Sequence, residues 1–263
     1  MFADERKVLI LEQLSLEGSV KITDLAKKFN VSTETIRRDL SELADAKKLK
    51  KVHGGAVAIK HIIHEKNYET RIRQNYEAKK RIGQYAAELI GDDEVIFLDN
   101  GATTEEIAKS IYNRKGLTLV INSLTIGSIL AQKQVNGEFT GKIIFVGGII
   151  NSDNLITTGV LALSVISRLS ADKAFIGATS ISKSGIMMWD ENDGEYSAAL
   201  CRNANETYLV ADSSKFGNES FYKFLDFSQI DHIITDDENR IDAGIINAAD
   251  SNNVKFHLVK RKF

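Results

Sequence analysis

The 263-residue chain has no proline, one cysteine, one tryptophan and only strand-length apolar runs. Each scarcity removes a class of protein. Without about 20 consecutive apolar residues no helix can span a bilayer, and without proline no stiff polyproline spacer can separate domains. Cys201 alone can form no internal disulfide and supply no Cys-rich zinc site, and a lone cysteine is more often packing than nucleophile. Neither sign of charge dominates, with 34 Lys and Arg against 36 Asp and Glu. Residues Met1 to Leu11 alternate charged and apolar side chains and lack the continuous apolar core of a signal peptide, so a cytosolic protein is expected. What is present is a hydrophobic fraction of 43%, enough for a packed core and too much for intrinsic disorder. The length fits one large domain, or a small one followed by a medium one.

The charges are unevenly placed. Residues 1–60 carry 12 basic and 9 acidic side chains, and the remainder 22 and 27. The basic excess gathers in Arg37, Arg38, Lys47, Lys48, Lys50 and Lys51, a pattern that suits nucleic acid and equally a solvated helix end. Apolar spacing separates the two. Val8, Leu9, Leu11 and Leu14 predict a first helix that breaks at Gly18. Leu25, Ala26 and Phe29 predict a second, with Thr23 as its cap. Ser32 then caps a third, in which Ile36, Leu40 and Leu43 fall on one face. Its other face offers Thr33, Thr35, Arg37 and Arg38, as a recognition helix does. Leu49 to Val57 predicts a hairpin turning at Gly54-Gly55, a wing whose Lys50, Lys51 and His53 face phosphates. The candidate DNA-binding residues are therefore Ser32, Thr33, Thr35, Arg37, Arg38, Lys50, Lys51 and His53. The expected partner is double-stranded DNA, as an operator if the protein is a regulator, and a dimer at least is needed to read two half-sites.

A winged helix-turn-helix over 1–58 and a linker over 59–68 precede a sensor domain over 69–263. His61 and His64 lie in the linker without further ligands, so no metal is expected, nor any cofactor. A single helical pattern from Glu69 to Ile90 leads into seven apolar runs: Glu94 to Leu98, Thr118 to Ile121, Lys142 to Val146, Lys173 to Ile176, Thr207 to Val210, Ile230 to Thr235 and Val254 to Leu258. Helical patterns lie between them, which predicts an α/β fold with a mostly parallel sheet covered on both faces. Such sheets bind ligands at the carboxyl ends of their strands. There the sequence places Asp99, Gly101, Thr103 and Thr104 at a helix start suited to an anion, then Asn122 and Ser123, Gly147 and Gly148, and finally Lys215 as a point charge for phosphate.

Two motif sets carry a resemblance. Val31 to Leu40 followed by Val52 to Ala56 resembles the VSxxTIRRDL and RVHGGA signature of the DeoR family of bacterial transcriptional regulators. Leu98 to Thr104, Val120 to Ser123, Phe175 to Ala178 and Asp212 to Gly217 are similar to that family's LDxGTTT, VTNS, FIGA and DSSKFG stations. The resemblance runs from about Arg6 to Asp236. It implies a sensor similar in fold to ribose-phosphate isomerases, a phosphorylated sugar as effector, and a homo-oligomeric repressor, dimer or tetramer, released from its operator by that sugar. The chain departs from the pattern at Lys47 for Gly, Lys48 for Leu, Lys51 for Arg, Ala102 for Thr and Ser180 for Gly.

A phosphosugar isomerase with an appended DNA-binding domain is the alternative. It would need a positioned carboxylate, for which Asp172, Asp190, Glu191 and Glu195 are the candidates, and a Lys-Gly-Gly-Gly run that this sequence does not contain. Met187, Met188 and Trp189 are expected to pack, or to cover the ligand. The sequence thus points to a non-enzymatic regulator.

Overall fold

The computed structural model describes residues 2–17, 19–46, 48–57, 68–237 and 241–260. Gly18, Lys47, His61, His64 and all of the expected linker except Tyr68 and its neighbouring helix lie outside them. The chain forms two units, Met1–His61 and Ile62–Phe263. Among the described residues no helix is long and apolar enough to cross a membrane.

The first unit runs α1 (Ala3–Glu17), β1 (Ser19–Lys21), α2 (Ile22–Phe29), α3 (Thr33–Asp45), β2 (Lys50–Val52) and β3 (Gly55–Val57). Ile10, Leu14, Leu25, Phe29, Ile36, Leu40 and Leu43 form its core with Val20 and Leu49. Strand β1, which the sequence reading did not include, pairs antiparallel with β3, and β3 with β2. It also moves the start of α2. The cap is Lys21 rather than the expected Thr23, because β1 feeds directly into the helix and the Ile22 amide donates to the Gly54 carbonyl (2.9 Å) instead of to a capping side chain. At the end of α3 the Lys48 amide donates to the Leu43 carbonyl (2.8 Å), which satisfies one of the helix's last carbonyls. Arg6 on α1 and Asp39 on α3 form a buried two-pronged ion pair (2.5 and 3.1 Å).

The second unit opens with α4 (Tyr68–Arg73) and α5 (Tyr76–Glu88), two helices where the sequence pattern suggested one. The break is at Asn75, whose φ of 53° is left-handed and whose side chain donates to Asp212 (2.7 Å) and Ser214 (3.0 Å). Asparagine is among the few residues that adopt this conformation readily. There follow β4 (Val95–Leu98), α6 (Ala102–Ser110), β5 (Thr118–Ile121), α7 (Leu124–Val135), β6 (Lys142–Phe145), β7 (Ile149–Asn151), β8 (Ile156–Thr158), α8 (Val160–Ile166), β9 (Ala171–Ile176), β10 (Ser180–Ser182), β11 (Gly185–Met188), α9 (Glu191–Arg202), β12 (Ala204–Val210), β13 (Tyr222–Leu225), β14 (His232–Thr235), α10 (Ala243–Asp250) and β15 (Lys255–Leu258).

Seven of these strands make one sheet in the order β15-β14-β12-β9-β4-β5-β6, every pairing parallel. They are the seven strands expected from the apolar runs. Period-two alternation sends Ile96 and Leu98 to a face shared with Ile82, Ile107 and Leu130, and Phe97 to a face shared with Ala162, Leu200 and Ala249. Helices α5, α6 and α7 cover the first face and α8, α9 and α10 the second. Two small sheets, β7-β8 and β10-β11-β13, were not anticipated. Met188 packs in the core, and Trp189 stacks obliquely on Phe221 at 5.9 Å. Cys201 is buried, and burial pushes its thiol well above the usual range, so it is inert.

Candidate DNA-binding surface and effector crevice

Helix α3 presents the expected side chains. Ser32 caps it, accepting from the Thr35 amide (3.1 Å) and sharing a hydroxyl contact with Thr35 (2.8 Å). Ser32, Thr33, Arg37 and Arg38 are exposed and Thr35 is half-buried. Arg37 donates to Glu34 (3.0 Å) and Arg38 to Glu42 (3.2 Å), solvent-screened pairs within one helix face that give way readily to a phosphate or base. On the wing, Lys50 and His53 are exposed, while Lys51 donates to Ser41 of α3 (2.8 Å) and so fixes the hairpin against the recognition helix. The expected Gly-Gly turn needs correcting. The turn is His53-Gly54, with Gly54 at φ 82°, and Gly55 is already in β3. A Cβ on Gly55 would stand 2.0 Å from the Val20 carbonyl oxygen, so this glycine permits the approach of β1.

In the second unit the chain leaves β4 toward β5 and β6 on one side and returns to β9 on the other. The carboxyl ends of β4 and β9 are therefore the point where strand order reverses, the place at which open α/β sheets bind ligands. Asp99 stands there. Its amide donates to the Phe175 carbonyl (3.0 Å), and its carboxylate accepts from Ser197 (2.7 Å), Asn100 (3.2 Å) and the Gly177 amide (3.4 Å). It is wholly buried, and burial raises its pKa to about 6 against those hydrogen bonds. Gly101, at φ 141°, lets the chain turn from β4 into α6. Thr104 is buried with its hydroxyl donating to the Gly101 carbonyl (3.0 Å), and Thr103 is buried beside it.

At the end of β5, Asn122 is buried and donates to the Thr157 carbonyl (2.9 Å), while its Oδ1 has no hydrogen-bond partner. Ser123 caps α7, accepting from the Ile126 amide (3.3 Å). Gly147 and Gly148 follow β6 in the open, and a Cβ on Gly148 would press to 2.5 Å from the Thr158 carbonyl. Lys215 is half-buried in a short 3-10 turn (Ser213–Lys215) after β12. The strands leading to Gly147 and to Lys215 are four sheet positions apart, ~19 Å at the usual spacing, so the central group around Asp99, Gly101 and Asn122 is the compact part of the expected set.

Other side chains at these strand ends were not singled out from sequence. Ser197 on α9 reaches Asp99. Lys79 on α5 is buried, donates to the Arg71 carbonyl (2.9 Å) and lies 3.7 Å from Asp212, and burial lowers its pKa. Tyr68 on α4 donates to Glu105 and its oxygen accepts from Thr125 (2.9 Å), and Arg71 donates to Asn154 (2.7 Å). Helix α4 thus crosses the same end of the sheet. A signal for Lys79 existed, since it shares the i, i+3, i+4 and i+7 face of Ile82, Gly83 and Ala86. The four carboxylates weighed for isomerase chemistry do not gather here. Asp172 accepts from the Val95 amide (2.8 Å) at the opposite end of the sheet, Asp190 caps α9, Glu191 is exposed and Glu195 accepts from Tyr222. Among the described residues no group of three or more metal-ligating side chains occurs.

A winged helix-turn-helix joined to a doubly covered parallel sheet defines a class of two-part regulators, and comparison with known proteins gives the family. Residues 6–61 match the DeoR-like helix-turn-helix domain and residues 74–237 the DeoR C terminal sensor domain. The chain belongs to the DeoR family of transcriptional regulators. It is 31% identical to the HTH-type transcriptional repressor GlcR of Bacillus subtilis, over 90% of this chain and 89% of that protein. It is also 31% identical to the Glycerol-3-phosphate regulon repressor of Escherichia coli (86% and 88%) and to the Lactose phosphotransferase system repressor of Streptococcus mutans (90% and 93%). Ribose 5-phosphate isomerase A from Methanocaldococcus jannaschii is a distant structural neighbour, with 17% identity, coverage of 54% and 55%, and a TM-score of 0.39, too remote to bear on function.

Proposed function

We propose that this protein is a cytoplasmic repressor of a sugar-metabolism operon whose operator affinity falls when a phosphorylated sugar occupies the crevice around Asp99. Ser32, Thr33, Thr35, Arg37 and Arg38 contact base edges and nearby phosphates, and Lys50, Lys51 and His53 hold the backbone. The effector's hydroxyls are read by Asp99 and Asn122. Its phosphate is taken by the amides and hydroxyls from Gly101 to Thr104 and by Lys215. Gly147, Gly148 and Ser123 shape the neighbouring strand ends. The three relatives named above are all repressors, one of a lactose phosphotransferase system and one of a glycerol-3-phosphate regulon, which supports this reading over an isomerase.

The observation that carries it is Asp99, a carboxylate buried at the strand-order reversal with its pKa raised to about 6. A group so placed is costly to keep, and such groups concentrate at functional sites. The test is a thermal-shift panel of sugar phosphates beside their unphosphorylated parents. A ligand at 100 times its Kd adds about 2.7 kcal/mol, which is plainly visible. Stabilisation confined to phosphorylated members is expected. Equal stabilisation by the parents would remove the phosphate from the proposal, and turnover of a hit would restore the enzyme alternative.

A further inference from the structure

The second unit leaves an apolar face bare. Ile149 and Ile150 on β7 are 70% and 63% exposed, and Val160 and Leu161 at the start of α8 are 81% and 69% exposed. Val165 continues the face of α8 one turn beyond Leu161, and Phe145 ends the edge strand β6 four residues before Ile149. The pieces are contiguous. Strand β7 pairs with β8, which runs into α8, and the Ile149 side chain lies 3.5 Å from where a Cβ on Gly159 would stand. Strand β7 buries neither side, since alternation turns Ile149 and Ile150 to opposite faces, while β8 and α8 keep Ile156, Ala162 and Ile166 inside. Ile149, on the side of Gly159, is therefore continuous with Val160, Leu161 and Val165 on the outer side of α8.

The segment is also short of charge. In a chain with 27% charged residues, positions 143–167 hold one, Asp153. Ordinary surface is not built this way, and depletion of charge with apolar enrichment is the mark of an interface core. The six side chains expose an area on the order of several hundred Å², at the top of what a monomer leaves bare and near the ~800 Å² per partner of a stable interface. Strand β6 ends the sheet and pairs only with β5 among the described residues.

We infer that the outer face of β7 and α8, with Phe145 at the sheet edge, is where a second copy of this chain docks. An uncharged apolar face complements itself across a two-fold axis, whereas it offers no counter-charge to a partner of either sign. A second copy is also what operator recognition requires, since one winged helix-turn-helix reads one half-site. The inference draws on the DNA-binding part of the proposed function and not on the effector. The hairpin gives the interface a further property. Its tip places Asn154 against Arg71 (2.7 Å) and Asp193 (3.0 Å) at the crevice, while its face beside α8 carries Ile149. One rigid element thus joins the crevice to the partner.

The test is sedimentation velocity on the full-length protein without effector. Leu161→Glu and Val160→Glu, both at exposed positions, should halve the assembled mass while far-UV circular dichroism stays unchanged. Val135→Glu, 81% exposed at the far end of α7, should leave the mass as in the wild type. A wild-type monomer across the micromolar range, or a Leu161→Glu variant with wild-type mass, would overturn the inference. Hydrogen exchange on the wild type gives a second measure that needs no variant. Amides in 143–166 should exchange at least tenfold more slowly at high than at low protein concentration, and identical exchange at both would count against the interface. Because no sugar is present in either experiment, failure here leaves the effector reading standing.

Discussion

The two units place their functional side chains in opposite environments. In the winged helix-turn-helix, Arg37, Arg38, Lys50 and His53 stand on the surface, over a core that would fold without them. In the sensor, Asp99, Thr104 and Asn122 are enclosed at the carboxyl ends of the sheet and wired into the fold. The contrast fits the proposed ligands. A duplex is large, charged and met at the surface, where long flexible cations suffice. A small polar metabolite must be surrounded, so its partners are drawn inside and their desolvation becomes part of the fold's energetics. Substitutions at DNA contacts should then alter affinity alone, while substitutions in the crevice alter affinity and stability together.

The largest expected effect cuts across that contrast. Asp39 belongs to the recognition helix yet is buried against Arg6, so Asp39→Ala strands a guanidinium and should destabilise the first unit by about 3 kcal/mol, the lower end for a broken buried pair in so small a core. Chemical denaturation should show a separate early transition. A single unshifted transition would mean that the pair adds nothing.

Asp99→Asn should move stability the other way. The folded carboxyl holds its proton to about pH 6 and the unfolded one only to about 3.8, so its contribution is full below 3.8 and lost as pH rises through 6. At pH 7 the native state carries an ionised buried group, and the amide should be about 3 kcal/mol more stable, with the gain vanishing near pH 4. The same variant should lose its response to the effector. A gain that persists unchanged at pH 4 would sink the electrostatic explanation.

On the DNA side, Arg37→Ala should weaken operator binding by about 1–3 kcal/mol and relax base choice, while Lys51→Ala weakens all sequences alike and lowers the salt slope by about one. Arg37→Ala should leave the unfolding midpoint unchanged, and Lys51→Ala should lower it slightly through the lost bond to Ser41. Identical losses of both variants on operator and random duplex would erase the division between base and backbone contacts.

The smallest effect tests burial away from either site. His232 and His257 share a hydrogen bond (3.0 Å), with Tyr85 on the second ring (2.9 Å). Burial lowers both pKa values below 6.5, so their contribution is complete above that pH and is lost as pH falls toward the folded values. Replacing both with Gln should flatten the stability curve between pH 6.5 and 5. An undiminished slope would place the acid sensitivity elsewhere.

Local pattern made much of this legible. Recognition helix, cap and wing lie within 26 consecutive residues and are read in order. The seven parallel strands show themselves because strands buried on both faces are continuous apolar runs. What escaped has a common physical form. Strands β1, β7, β8 and β10 are three residues long, with Ser, Lys, Asn or Thr interrupting any apolar signal. Asp39, Lys79 and Ser197 are polar side chains taken inside by partners from distant segments, and no local window contains both ends of such a pair. The crevice loops were legible as places, whereas the engagement of Thr104, Ser123 and Asn122 in the fold itself was visible only in three dimensions.

The central claim is that the buried crevice and the exposed helix are two ends of one equilibrium. The most direct measurement is operator binding by fluorescence anisotropy at fixed salt, with and without a saturating sugar phosphate identified by thermal shift, in the wild type and in Asp99→Asn. Coupling of 1–3 kcal/mol is typical of such systems, so the sugar should weaken the wild-type complex at least fivefold and leave Asp99→Asn unmoved. An operator Kd that is the same with and without a bound, saturating sugar would contradict the account.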